Sequence, residues 1–225
     1  MGKRLEDHPD SLHERVYRQL KNDIIIGRYH PGEKLDVHLL AGEHGVSRTP
    51  VRDALRALQQ EGLVEILPRV GYFVSRITIK DVEDIFQLRL IVETASAELA
   101  TGRISESELA YLEQLSHPYV EGHLESYKRF LAENREFHYR VALATGNRRL
   151  AEVVADLLNQ MQRLLILRLD LWSRADEMLG EHQRLLLAFR RNDLRGARRA
   201  MEEALRNAQE AVMRSILEKG KEWSL

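Results

Sequence analysis

The sequence contains no cysteine, little proline and no long apolar stretch. Without cysteine, disulfides, thiolate metal ligands and cysteine nucleophiles are excluded. The most apolar run, residues 164–171, is interrupted by Arg168 and Asp170 and is too short to cross a bilayer. The first ten residues are polar and charged and lack the apolar core of a signal peptide. We therefore expect a cytoplasmic protein with no membrane association.

An excess of positive charge is also missing. The formal net charge is −1, and residues 1–77 carry twelve Lys and Arg against eleven Asp and Glu. A nucleic-acid partner would therefore have to be contacted by one small positive face rather than by a basic domain. The chain has 225 residues, of which 44% are hydrophobic, so it is long enough for one large domain or two modest domains with cores of their own.

The first third of the chain predicts three helices followed by a β-hairpin. The helices begin at Ser11, which with Glu14 forms a capping-box pattern, at Val37, and at the cluster 47–50. Residues 63–67 and 72–74 predict the two strands, joined by a tip at 68–71. This order is typical of a winged helix-turn-helix, which we assign to residues 11–76, after a flexible arm at residues 1–10.

The rest of the chain predicts helices only. Amphipathic segments cover residues 80–101, 105–121, 125–145, 148–171, 174–191 and 194–219, and only one proline, Pro118, follows residue 68. The fold class is therefore mainly α: a winged helix-turn-helix and an antiparallel helical bundle at residues 80–220. Residues 76–80 form a short hinge between them.

The third predicted helix carries most of the functional information. Its apolar positions share one face, while three arginines spaced four residues apart, Arg48, Arg52 and Arg56, share another. An arginine near the start of a helix can enter the major groove and donate two hydrogen bonds to guanine. A solvated helix face with Arg52–Asp53 or Arg56–Gln60 neighbours is the alternative for any one arginine alone. Their placement together on the third helix of a winged module favours DNA recognition.

Four further positions suit contacts with a DNA duplex. The Ser47 and Thr49 hydroxyls can cap the third helix or, with the free amides of its first turn, hold a phosphate. Arg69 at the hairpin tip could reach the minor groove or the backbone, and Gly71 lets the turn approach closely.

The ordered motifs of residues 12–75 resemble the DNA-binding domain of the GntR family of regulators. They are Gly27-Arg28-Tyr29-His30-Pro31-Gly32-Glu33-Lys34-Leu35, Val46-Ser47-Arg48-Thr49-Pro50-Val51-Arg52-Asp53-Ala54-Leu55, Glu61-Gly62-Leu63-Val64 and Gly71-Tyr72-Phe73-Val74. The resemblance implies that a homodimer binds double-stranded DNA at a short palindromic operator. The operator contacts it implies are Ser47, Arg48, Thr49, Arg52, Arg69 and Gly71.

Residues 80–215 resemble the FadR-type ligand-binding domain, called FCD, of the same family. The matching pieces include residues 88–93, 134–138, 146–147, 181–182 and 197–201. Many such domains hold a divalent metal with one Asp and three His ligands. By position, His138 and His182 match two ligands, whereas Asn134 stands where Asp is usual and Ala204 where the third His is expected. A metal site held at most by His138 and His182 is therefore disfavoured, and we expect His138 to bond to Asn134 in a pocket that binds an organic ligand directly.

The effector implied by the resemblance is a small organic acid. Arg89 has two interpretations: an i, i+4 ion pair with Glu93 at the helix surface or domain interface, or a guanidinium directed at a ligand carboxylate. Arg163 and Asn207 are further candidates for effector contacts. The predicted effector-binding set is Arg89, Asn134, His138, Arg163, His182 and Asn207.

The combined hypothesis is a ligand-responsive DNA-binding regulator and not an enzyme. The apolar faces of residues 80–101 and 148–171 are wide enough for a twofold dimer contact, and an effector would shift the spacing of the two DNA modules. A helical-bundle metalloenzyme is the main alternative, but the sequence has neither two Glu-x-x-His pairs nor a Gly-rich phosphate loop. A protein-interaction scaffold without DNA binding is the other. The family resemblance suggests a repressor, but the sequence itself does not say whether binding represses or activates.

Overall fold

A computed structural model describes residues 11–115, 117, 123–166 and 175–219. The chain divides into two compact units, and the boundary falls between Ile77 and Thr78. In the described residues, three helices and three strands belong to the first unit and six helices to the second. No described helix has both the length and the apolar character needed to span a bilayer.

The first helix, α1 (Leu12–Ile25), begins and buries its apolar face as the sequence predicts. The Ser11 hydroxyl accepts a hydrogen bond from the Glu14 amide, and the Glu14 carboxylate accepts one from the Ser11 amide at 2.9 Å. This reciprocal capping box satisfies two amides that a helix start otherwise leaves unpaired. Val16, Leu20 and Ile24 are fully buried, so one face of α1 packs into the core of the unit.

Helices α2 (Val37–His44) and α3 (Arg48–Gln60) form the helix-turn-helix. The Asp36 side chain caps α2, and Gly45, in the left-handed conformation with φ 63°, ends it. Ser47 occupies the N-cap position of α3 but makes no capping hydrogen bond with its side chain. The predicted boundaries of α3 are thus close to the observed ones. Of the two roles predicted for the Ser47 hydroxyl, capping of the helix is absent.

A three-stranded antiparallel sheet completes the first unit. The hairpin strands are β2 (Val64–Leu67) and β3 (Gly71–Val74), and β1 (Lys34–Leu35) pairs with the other edge of β3. The sequence did not predict β1, because a strand of two residues forms only by pairing with residues about 38 positions later and has no local pattern of its own. The sheet, α1 and α3 enclose one core, which includes Leu35, Leu55, Leu58, Val64 and Val74.

The described residues of the second unit form a bundle of six helices. They are α4 (Ile79–Ala100), α5 (Glu106–Gln114), α6 (Leu124–Ala144), α7 (Arg148–Ile166), α8 (Ala175–Arg190) and α9 (Leu194–Lys219). The predicted ends of the second and fourth segments, at 116–121 and 167–171, lie largely outside the described residues. Helix α4 packs against α6, α7 and α9, which places its interior face at the centre of the bundle.

Candidate nucleic-acid interface and effector pocket

Helix α3 has one fully buried face and one exposed face. Val51, Ala54, Leu55 and Leu58 are completely inaccessible to solvent. Ser47, Arg48, Thr49 and Arg52 are exposed at the first two turns of the same helix. The apolar stripe therefore fixes the helix to the core while its polar residues remain available to a partner.

Two of the three predicted arginines on this face are electrostatically unpaired. Among the described residues, Arg48 and Arg52 have no hydrogen bond or ion pair, whereas Arg56 lies 3.4 Å from a carboxylate oxygen of Asp53. Asp53 pairs with Arg56 and not with its neighbour Arg52. The positive charge of the exposed face is concentrated at Arg48 and Arg52, near the start of the helix.

The hairpin tip has an unusual backbone at both predicted contact residues. Arg69 is exposed and has φ 64°, and Gly71 has φ 142°. A Cβ atom at Gly71 would lie 3.2 Å from Cε of Lys34 on the neighbouring strand β1. Only glycine adopts that φ at little cost, so Gly71 shapes the tip that presents Arg69.

Four of the six predicted effector residues line one interior cavity of about 50 Å³. Arg89 comes from α4, Asn134 and His138 from α6, and His182 from α8. Ala204 of α9 also lines it, so the four positions that the resemblance relates to metal ligands do meet. The other lining residues among those described are Phe86, Met161, Met178, Glu181, Leu205, Ala208 and Val212.

Glu93 joins two of these polar residues behind the cavity. One of its carboxylate oxygens accepts a hydrogen bond from Nε of Arg89 at 2.5 Å, and the other lies 2.5 Å from Nδ1 of His138. All three side chains are buried. Burial alone would raise the pKa of Glu93, but the adjacent Arg89 and His138 outweigh it and lower this pKa to about 2. Glu93 is therefore ionised. Arg89 forms the predicted ion pair with Glu93, but the pair is buried inside the bundle and does not lie at the helix surface.

His182 and Asn134 carry the unsatisfied polar atoms of the cavity. The His182 ring stacks on Phe137 with centroids 3.8 Å apart, and burial, followed by the nearby His138, holds its pKa well below the usual value. Its Nδ1 and Oδ1 of Asn134 are buried without a hydrogen-bond partner among the described residues. The expected hydrogen bond between His138 and Asn134 is wrong, because Glu93 is the stronger, charged acceptor for His138.

The two remaining predicted effector residues, Asn207 and Arg163, are not among the described residues that line the cavity. Asn207 donates a hydrogen bond to Oε1 of Glu181 at 2.9 Å, so it stands behind a lining residue rather than at the cavity itself. The side chain of Arg163 lies outside the described residues.

Two family models match the chain in sequence order. The model described as bacterial regulatory proteins of the gntR family matches residues 12–74, and the FCD domain model matches residues 84–207, more than half of the chain. The chain belongs to the GntR family of transcriptional regulators. Its second unit is the FCD effector-binding domain.

Full-length relatives agree with this assignment. The GntR-family chain is 29% identical to the uncharacterized HTH-type transcriptional regulator YdhC of Bacillus subtilis, over 96% of this chain and 97% of that protein. It is 26% identical to the HTH-type transcriptional repressor RspR of Escherichia coli, over 94% and 93% of the two chains. Among solved structures, Escherichia coli McbR/YncC has a TM-score of 0.77 at 23% identity, covering 92% of this chain and 99% of its own. That likeness supports the fold.

The donor set of this GntR-family pocket does not fit the metal site that the FCD resemblance implies. Asn134 offers a neutral amide oxygen and Ala204 offers no donor atom, so two imidazoles are the only strong ligands at the four positions. Within the described residues, no group of three His, Cys, Asp or Glu side chains is arranged to hold a metal ion. Glu93 cannot substitute, because both of its oxygens are engaged.

The sequence indicates Glu93 only as a possible partner of Arg89 and does not predict its contact with His138. The spacing of Arg89 and Glu93 on one helix is a local signal, whereas the 45-residue separation from His138 is set by how α4 packs on α6. The sequence distinguishes Glu181 only as part of the FCD motif at residues 181–182. Nothing in its sequence neighbourhood distinguishes a buried pocket carboxylate from a surface one.

Proposed function

We propose that this regulator binds a palindromic operator in double-stranded DNA as a homodimer, through Ser47, Arg48, Thr49, Arg52, Arg69 and Gly71. The observation that carries the proposal is the exposed start of α3, where Arg48 and Arg52 have no protein partner in the described residues while the opposite face is fully buried. Each arginine can donate two hydrogen bonds to guanine in the major groove, and the Ser47 and Thr49 hydroxyls suit phosphate contacts.

Homodimer formation is supported by an apolar stripe on α4. Leu88, Ile91 and Leu99 are exposed, the most accessible being Ile91 at 61%, and they lie on the side of α4 away from its buried residues. Val153 of the neighbouring α7 is also exposed. A second copy that covers this stripe would give a twofold dimer, and a twofold dimer matches a palindrome.

The effector in this proposal is a small organic acid held in the cavity of the FCD domain. Arg89 lines that cavity as a buried guanidinium, and Asn134, His138 and His182 supply further polar groups. An acid that binds one arrangement of the helical domain better than another would shift the population of DNA-binding states. Arg163 and Asn207 stay candidates for effector contacts. Two relatives, RspR and GlaR of Escherichia coli, are named repressors, which favours repression.

The test is selection of duplexes from a random pool by the full chain, followed by gel shifts. We expect a two-half-site palindrome whose half-site centres are about one helical turn, roughly 10 base pairs, apart. The affinity should fall steeply with salt, and Arg48→Ala should weaken it. Selection of no consensus, or equal binding by Arg48→Ala, would refute the DNA-binding proposal.

A further inference from the structure

We infer that the FCD pocket of this chain binds its ligand without a metal ion, using the Arg89 guanidinium for a carboxylate and Asn134 and His182 for a hydrogen-bonding substituent of the same ligand. The inference rests on the proposed effector role of the cavity. It goes further by replacing the metal with protein groups and by specifying a ligand with two polar functions: a small carboxylate that also carries a hydroxyl or an ammonium group.

The charges around the cavity argue against a cation. Arg89 shares the lining with the two imidazoles, so a divalent ion would be placed beside a permanent positive charge. The nearby carboxylates are already engaged: Glu93 by Arg89 and His138, and Glu181 by Asn207. A metal bound there would have two neutral nitrogen ligands and one amide oxygen, which is a weaker set than the structural and catalytic zinc sites of proteins.

The guanidinium of Arg89 is suited to an anion. Its Nε is fixed by Glu93, and its carbon lies 5.4 Å from the centroid of the Phe86 ring, so the plane of the group is held on two sides. The two terminal nitrogens make no hydrogen bond to any described residue, although the side chain is only 6% exposed. A carboxylate that accepts from both nitrogens is the usual partner of such a group.

Asn134 and His182, in contrast to Arg89, need a ligand group that donates hydrogen bonds. Oδ1 of Asn134 and Nδ1 of His182 are buried, line the cavity and lack a partner in the described part of the chain. Unpaired buried polar atoms are costly, so a ligand that supplies a hydroxyl or ammonium there gains affinity over one that does not. The cavity of about 50 Å³ is roughly a third of the ~150 Å³ that accommodates benzene, which restricts the ligand to a few non-hydrogen atoms.

Metal content tests the first half of the inference. The full chain and the double variant Asn134→Asp/Ala204→His are equilibrated with Zn²⁺, desalted and analysed by elemental mass spectrometry. We expect no stoichiometric zinc in the parent chain and about one zinc per chain in the double variant, because the substitutions restore the two missing ligands. Adding His138→Ala to the double variant should remove that zinc, which separates the pocket from surface histidines. Stoichiometric zinc in the parent chain would overturn the inference. The zinc content of the parent chain decides this even if the double variant does not fold.

Thermal shifts with three probes test the second half. Glycolate and glycine carry a carboxylate with a hydroxyl or an ammonium, and acetate is the matched carboxylate without either. In the presence of EDTA, we expect glycolate or glycine to raise the Tm more than acetate does, because only they carry a group that can pair with Asn134 and His182. Arg89→Lys should reduce the Tm shift of all three probes, because lysine cannot bind a carboxylate with two parallel hydrogen bonds. A shift that EDTA removes would contradict metal-free binding. No shift from any probe, with no zinc bound, would instead contradict the proposed carboxylate effector and leave the metal result standing.

Discussion

The carboxylate of Glu93 on α4 lies 2.5 Å from Nδ1 of His138 on α6, and this contact joins two helices in the interior of the FCD domain. The other oxygen of the same carboxylate accepts from Arg89. One ionised group therefore orients two side chains that line the cavity of this domain. Since all three are buried, the loss of any member leaves a charged or polar partner unsatisfied.

Glu93→Gln is expected to destabilise the protein strongly. The substitution keeps the shape but leaves the buried Arg89 charge without its anion, for which a loss of about 3–5 kcal/mol of unfolding free energy is typical. Urea denaturation at fixed protein concentration measures it. The matched control is Glu152→Gln, which removes the partner of Arg148 from an exposed pair and should cost less than about 0.5 kcal/mol. Equal effects of the two variants would contradict the buried ion pair.

The stability that Glu93 provides should depend on pH in one direction. Its pKa in the folded protein is about 2, below the ordinary value of 4.5, so the carboxylate stabilises the fold fully above about pH 5. That contribution is lost as the pH falls from about 4.5 towards about 2. The difference in unfolding free energy between the parent chain and Glu93→Gln should therefore shrink as the pH is lowered from 6 to 3. A difference that stays constant over this range would disagree with an ionised, stabilising Glu93.

Except for β1, the sequence predicted the elements of both units, because their signals are local. The Ser11 capping box, the apolar stripe of α3 and the Gly71 turn each involve residues within a few positions of one another. The polar partners inside the bundle have no such signal. His138 bonds to Glu93 rather than to Asn134, one turn away, because helix packing brings a charged acceptor from a distant helix closer to it.

Arg52→Ala should weaken operator binding, and Arg56→Ala should not. Arg52 is exposed and unpaired in the described residues, so its loss is expected to cost about 1–3 kcal/mol, or roughly 5- to 150-fold in Kd. Arg56 is already paired with Asp53, which makes it a control of the same residue type one turn away. Gel shifts on the selected palindrome at several salt concentrations compare them. A larger loss for Arg56→Ala would mean that the other end of α3 meets the DNA.

Two glycines of the DNA-binding unit should respond oppositely to alanine. Gly71 has φ 142° and a Cβ there would meet Lys34 at 3.2 Å, so Gly71→Ala should lower the unfolding free energy by about 1–3 kcal/mol. Gly42 is inside α2 with nothing within 4 Å of an added Cβ, and Gly42→Ala should raise it by about 0.5–1 kcal/mol. Thermal or urea unfolding of both variants measures the sign. A Gly71→Ala variant at least as stable as the parent chain would show that the strained turn of the hairpin is not what requires glycine at position 71.

Ile91→Glu should separate the proposed dimer into monomers. Ile91 lies in the exposed stripe of α4, and a charge there would have to be desolvated for a second copy to pack on it. Leu194→Glu is the control, because Leu194 is also exposed, at 49%, but starts α9, where an acidic side chain suits the helix N-terminus. Sedimentation velocity gives the oligomeric state, and gel shifts give the affinity for one half-site against the full palindrome. We expect Ile91→Glu to sediment as a monomer that no longer prefers two half-sites. A variant that stays dimeric would place the interface on another face of the bundle.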